Sequence, residues 1–204
     1  MINWQNQVRS IILASGSPRR KMILEQMGLS IQVEKPDSID EDEHLDSGDL
    51  DGSIQRLAVV KAESIAKKHP QSLVIGADTI VVKDHHVLGK PSDTVHARKM
   101  LQILSDSKHT VMTGVALCCT AENYVRTVVE CTDVYFRKIS DTEISHYLTC
   151  DEYADKAGAY AIQGKAMIFI EKIAGCYYNV VGLPVASTIN LLKDFIVRKE
   201  SADV

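Results

Sequence analysis

The sequence predicts an α/β fold with a mixed, partly antiparallel sheet. Three observations carry this. Short apolar runs alternate with segments of helical periodicity along most of the chain. "SLVIGADTIVV" supplies a nearly continuous apolar strand, Leu73 to Val82. "TVMTGVALCC" and "YVRTVVECTDVYFRKI" read as strands joined by only "TAEN", a hairpin. The 204 residues suit a single α/β domain over 1–204, folded as one body or two lobes.

The elements follow in order. A strand at Ile11, Ile12 and Leu13 leads through Ser15-Gly16-Ser17 into a helix, with Ser17 at the N-cap and Pro18 at the first helical position. Met22, Ile23, Leu24 and Met27 give that helix its apolar face. A short strand near Ile31 to Glu34 precedes an acidic loop with eight carboxylates between Asp37 and Asp51. A helix runs from about Ser53 to Lys68. After the central apolar strand, "KDHHVLGKP" reads as a turn. Ser92 or Asp93 caps a helix whose buried face is Ala97, Met100, Leu101 and Leu104, at i, i+3, i+4, i+7 spacing. Ser140 and Glu143 make a capping box. "DEYADKAGAYAIQGKA" reads as a long loop. "MIFIEKI" and "YYNVVGL" read as two strands pairing across "AGC", and a last amphipathic helix spans about Val185 to Val197.

The bulk numbers exclude several function classes. A net charge of −4 leaves no basic footprint for nucleic acid, so none is expected as a partner. No apolar stretch approaches the ~20 residues of a membrane span, and "MINWQNQVRS" lacks a secretory core, so no membrane association is expected. Five cysteines without a C-x-x-C pair point to free thiols in a reducing, cytoplasmic setting. The seven histidines lack metal spacing and read as structural or solvated.

Charge in unexpected places marks the candidate chemistry. The positive end of a helix dipole favours acids, yet the first turn after Ser17 holds Arg19, Arg20 and Lys21. A strand, a small-residue loop and a helix N-terminus form a phosphate cradle, and two arginines add bidentate donors. Asp78 interrupts the most apolar strand, where a carboxylate is costly to bury without partners. It reads equally as a functional carboxylate or as a structural group bonded to nearby backbone. Lys61 fills a slot on the apolar face of its helix, beside Ile54, Leu57, Ala58 and Ile65. A snorkelling stem explains it alone; a bound anion explains it together with Arg19, Arg20 and Lys90. Lys90 lies in "LGKP", a turn, and no Walker loop occurs in the chain. The acidic loop fails as a calcium loop, because the twelfth position from Ser47 is Ala58 instead of Glu. Asp40 and Glu41 could instead join Asp78 around a hard cation such as Mg²⁺. In "DKAGAYAIQG", Asp155 and Lys156 bring charge to a small-residue loop. The Gln163 amide offers one donor and one acceptor, the pattern a uracil or thymine edge needs, although a buried glutamine in a flexible loop explains it too.

Taken in order, "LASGSPRR", "GADTIVV", "GKP", "MTGV", "DKAGAYAIQG" and "VVGLP" resemble the Maf family of nucleoside triphosphate pyrophosphatases, also called septum formation inhibitor-like proteins, from Ile11 to Pro184. The resemblance implies an elongated, bent mixed sheet flanked by helices, in two lobes with a cleft, related to the inosine triphosphate pyrophosphatases. It implies hydrolysis of a nucleoside triphosphate to the monophosphate and pyrophosphate with a divalent metal, Mg²⁺ or Mn²⁺, and it allows a homodimer. "SPRR", "GADT" and "IQG" side with the branch acting on dTTP and UTP rather than 7-methyl-GTP. On that resemblance Asp78 is the proton acceptor, Arg19, Thr79 and Gln163 govern base choice, and Ser15, Arg20, Lys61 and Lys90 face the phosphates. Asp40 and Glu41 fall near the metal. Ala161 departs from the Gly that many members carry before "IQG". Two other roles fit the same residues: a non-catalytic nucleotide-binding regulator of cell division, and a housecleaning pyrophosphatase for noncanonical nucleotides.

Overall fold

The computed structural model describes residues 10–37, 39 and 44–202. Seven strands and six α-helices occur among them, in a mixed sheet of order β2-β1-β3-β5-β6-β7 with β4 on β3. The chain divides into two compact units. The first holds the described residues up to Asp78, Thr113–Glu130 and the residues from Gly182 on; the second holds Thr79–Met112 and Cys131–Val181.

In the first unit, β1 (Ile11–Ala14) pairs in parallel with β2 (Gln32–Glu34) and with the opening half of β3 (Leu73–Lys83). Ala14 is the register partner of both Glu34 and Gly76. β1 is buried along its length, as its unbroken apolar run requires. The connecting helices are α1 (Pro18–Gln26) and α2 (Leu50–Ala66). Ser17 sits at the N-cap of α1 but makes no side-chain cap; the Ser15 hydroxyl accepts from the Ser17 N–H instead. Ile23 and Leu24 are buried in α1, whereas Met22 is exposed. α2 starts three residues before the expected Ser53, because Asp49 accepts from the Gly52 N–H and caps an earlier turn. Its Ala58, Ala62 and Ile65 pack with Ile12, Val74 and Ala116 as the core of this unit. α6 (Val185–Ala202) runs past the expected Val197, through residues of good helix propensity.

In the second unit, Asp84 and His85 take positive φ and turn β3 back into the short antiparallel β4 (His86–Leu88). The expected turn thus falls at Asp84 and His85 and closes a short hairpin. α3 (Thr94–Leu104) is capped by Asp93, which accepts from the His96 N–H, and buries Ala97, Met100, Leu101 and Leu104. β5 (Lys108–Cys119) and β6 (Tyr124–Phe136) are the expected adjacent strands, and both continue into the first unit. α4 (Asp141–Tyr147) opens with the expected capping box of Ser140 and Glu143. The "MIFIEKI" and "YYNVVGL" strands need correcting. Lys165–Phe169 forms 3-10 turns, and only β7 (Ile170–Ala174) is extended, antiparallel to β6. Tyr177–Val181 is a helix, α5. The reason lies at Thr132, whose hydroxyl accepts from the Cys176 N–H and from the Asn179 amide and donates to the Cys176 carbonyl. Gly175, at φ 131°, makes the bend against it.

His109 is buried in this core, edge-on to Phe136 and Tyr160 and hydrogen-bonded to the Tyr160 hydroxyl. Burial, and secondarily the Lys83 charge, pushes its pKa down to about 4. The unfolded chain takes up a proton near pH 6.5 that the folded one refuses, so stability is complete above that pH and falls towards about pH 4. Thermal unfolding across that window should fall less steeply in His109→Gln than in the native protein.

Candidate functional site

The parallel strands β1 and β2 bring their carboxyl ends to one edge beside Gly76 of β3, and open α/β sheets bind ligands at such ends. Two chain segments leave that edge, Ser15-Gly16 after Ala14 and Lys35 after Glu34, while β3 runs on beyond its last pairing with β1 at Gly76 and carries Ala77 and Asp78 beside them. Ser15 is buried, and its hydroxyl accepts from Arg20 Nη1 at 3.1 Å. Arg20 Nε donates to the Gly182 carbonyl at 2.8 Å, so the guanidinium is held in a fixed plane. Arg19, one residue earlier on α1, is half-buried. The Lys35 side chain lies over the loop: a Cβ on Gly16 would sit 3.0 Å from Lys35 Cε. This cation escaped the sequence reading, because only the parallel pairing of β1 with β2 brings it to Gly16.

The side chains of Lys61 and Asp78 form an ion pair, and both residues are under a tenth exposed. The seat of α2 explains why they meet. A Cβ on Gly76 would lie 2.3 Å from the Ala58 carbonyl oxygen and 2.8 Å from the Ala62 nitrogen. A Cβ on Gly114, on β5, would lie 2.4 Å from the Ile54 carbonyl oxygen. Helix backbone thus rests directly on strand backbone at two glycines. The residue one turn along from Leu57 and Ala58 is Lys61, delivered to Asp78 two residues beyond Gly76. Lys61 does not snorkel to water; its ammonium pairs with the Asp78 carboxylate, a partner that neither the snorkelling stem nor the bound anion foresaw.

The second unit holds Thr79, Lys90, Asp155, Lys156 and Gln163. Thr79 follows Asp78 on β3 and is half-buried. Lys90 is exposed in its turn, and the Gly158 N–H donates to the Gly89 carbonyl at 3.0 Å. That bond fixes the Lys90 turn to the "DKAG" segment. Gly158 takes φ 67° against Val81, and Ala159 takes φ 61°; the strained backbone falls there and not at Ala161. Lys156 is ion-paired with its neighbour Asp155. Gln163 is exposed, in a turn closed by the Gly164 N–H donating to the Ala161 carbonyl, so the buried-glutamine alternative falls. Asp40 and Glu41 lie outside the described residues. Among the described residues no cluster of three His, Cys, Asp or Glu could hold a metal ion, and no helix is long and apolar enough to cross a membrane. All five cysteines are free; burial pushes the Cys118 thiol up to about 12, which makes it inert.

Fold and site together define an α/β protein with an arginine- and lysine-lined loop at the carboxyl ends of β1 and β2 and a buried carboxylate on β3, two residues past its last pairing with β1. The family profile described as Maf-like protein matches residues 10–195, and the chain belongs to that family. A dTTP/UTP pyrophosphatase of Halalkalibacterium halodurans is 48% identical over 91% of this chain and 96% of its own. Another, of Acetivibrio thermocellus, is 47% identical over 91% of this chain and 94% of its own. Among solved structures, a HAM1 protein from Coxiella burnetii matches 62% of this chain and 72% of its own at 16% identity and a TM-score of 0.41.

Proposed function

We propose that the protein hydrolyses dTTP and UTP to the nucleoside monophosphate and pyrophosphate. The observation that carries this reading is the buried Lys61–Asp78 pair at the strand edge that also bears Ser15, Arg20 and Lys35. Relatives at 44–48% identity named dTTP/UTP pyrophosphatase support the substrate class. In the reaction, water attacks the α-phosphorus in line and gives its proton to the Asp78 carboxylate. The bond from the α-phosphorus to the bridging oxygen breaks, and pyrophosphate leaves. Lys61 holds Asp78 in place, while Arg20, Lys35 and Lys90 balance phosphate charge. Most of the acceleration comes from positioning and charge stabilisation. Arg19, Thr79 and Gln163 select the pyrimidine; Asp155 and Lys156 shape the loop that carries Gln163.

A divalent cation fits the donor set in part. Mg²⁺ and Mn²⁺ are held by one or two carboxylates plus substrate phosphates, and Asp78 supplies one carboxylate, with Asp40 and Glu41 the further candidates. When bound, the ion would neutralise charge on the triphosphate. Free thiols and a nucleotide substrate suit a cytoplasmic enzyme.

The test is pyrophosphate release from dTTP, UTP, CTP and 7-methyl-GTP, with Mg²⁺ and with Mn²⁺. Release from dTTP or UTP supports the assignment. Tight UTP binding without turnover would replace it with a nucleotide-binding regulator. Lys35→Ala and Lys90→Ala should each raise KM for UTP several-fold, with the loss shrinking at high salt, as exposed charge pairs do. Unchanged constants would return both lysines to ordinary surface charge.

A further inference from the structure

Glu152 has no part in the chemistry above, yet both oxygens of its carboxylate are engaged. Oε2 accepts from the Lys165 N–H at 3.0 Å. Oε1 accepts from the Tyr147 hydroxyl at 3.3 Å. Burial, and then the Glu152 charge, drives the Tyr147 pKa upward, so this hydroxyl stays protonated and donates. The carboxylate also lies flat against Gly164, where a Cβ would sit 2.1 Å from Oε1 and 2.2 Å from Oε2. Gly164 closes the turn Ala161–Gly164 and accepts from the Met167 N–H through its carbonyl. Gln163 is the third residue of that turn, held from its carboxyl side by Glu152 and from below by 3-10 turns over Lys165–Phe169. An exposed amide can discriminate a uracil edge only if its backbone is fixed.

We propose that Glu152 is a positioning residue for substrate selection: it locks the turn that presents Gln163, and so tunes the preference for uracil or thymine over cytosine. This rests on the pyrimidine triphosphate reading above. It also explains why residue 164 is glycine, since any side chain there would expel the carboxylate.

The test compares native protein, Glu152→Ala, Glu152→Gln, Gln163→Ala and the double Ala variant by pyrophosphate release from UTP and CTP, with amide hydrogen exchange at Lys165. Glu152→Ala should raise KM for UTP on the order of tenfold, the scale of one hydrogen bond to a charged group. Its kcat should change much less, its UTP-over-CTP preference should fall, and exchange at Lys165 should quicken. Glu152→Gln keeps an acceptor oxygen for Lys165 and should recover most of the preference. In the Gln163→Ala background, loss of Glu152 should cost little more, because the two act through one group. Additive losses in the double variant, or an unchanged KM and preference in Glu152→Ala, would overturn the proposal while leaving the reaction standing. No release from any nucleotide by the native protein would overturn the reaction and the selectivity role together.

Discussion

Asp78→Asn is expected to fold like the native protein and to lose at least ~100-fold in the rate of pyrophosphate release, the low end of what a general base contributes. The substitution suits the site. Asn keeps the volume of the side chain and an oxygen that can accept from the Lys61 ammonium, so that cation is not left buried without a partner. What disappears is the second acceptor oxygen and the ability to take a proton. Asp78→Ala would confound the two effects, since removing one member of a buried pair costs roughly 3–5 kcal/mol. Steady-state kinetics with UTP, beside a melting curve, separates them. A variant that melts normally and turns over at the native rate would remove Asp78 from the chemistry.

The second large effect is expected at Gly76. Gly76→Ala places a methyl 2.3 Å from the Ala58 carbonyl oxygen, a backbone atom that cannot rotate away. Overpacking in a well-packed core costs about 1–3 kcal/mol, and a clash against main chain belongs at the upper end. α2 must lift from the sheet, and Lys61 lifts with it. The variant should melt several degrees lower and also lose activity, although residue 76 touches no substrate in the proposed reaction. Denaturant unfolding and pyrophosphate release on the same sample test both; a loss of stability with full activity would show that Lys61 tolerates the shift.

Much of this was legible in the sequence where a residue contradicted its surroundings. Asp78 in an apolar strand signalled a buried charge and Lys61 on an apolar helix face stood out as misplaced, but that each is the partner of the other was not legible before the fold. The face of α3 and the capping box of α4 followed from spacing alone. The illegible parts depend on distant partners. Lys35 looks like any surface lysine until β2 is laid beside β1. Glu152 looks like loop charge until the chain returns to Gly164. "YYNVV" carries strand-forming residues, but Thr132 and Asn179 impose a helix by hydrogen bonds no local pattern announces. Asp40 and Glu41 lie outside the described residues.

The two glycines beneath α2 act as a hard stop and not as a spring. Where side chains separate a helix from a sheet, every change of core volume alters the spacing between them. Here main chain meets main chain at Gly76 and Gly114, so the distance from helix to strand is set by atoms that substitution at Ile65 or Val74 does not alter. Core residues of this unit can therefore shrink, at a cost in heat resistance, without drawing helix and strand closer, and the alignment of ammonium and carboxylate persists. Evolutionary latitude in the interior and precision at the site cease to compete.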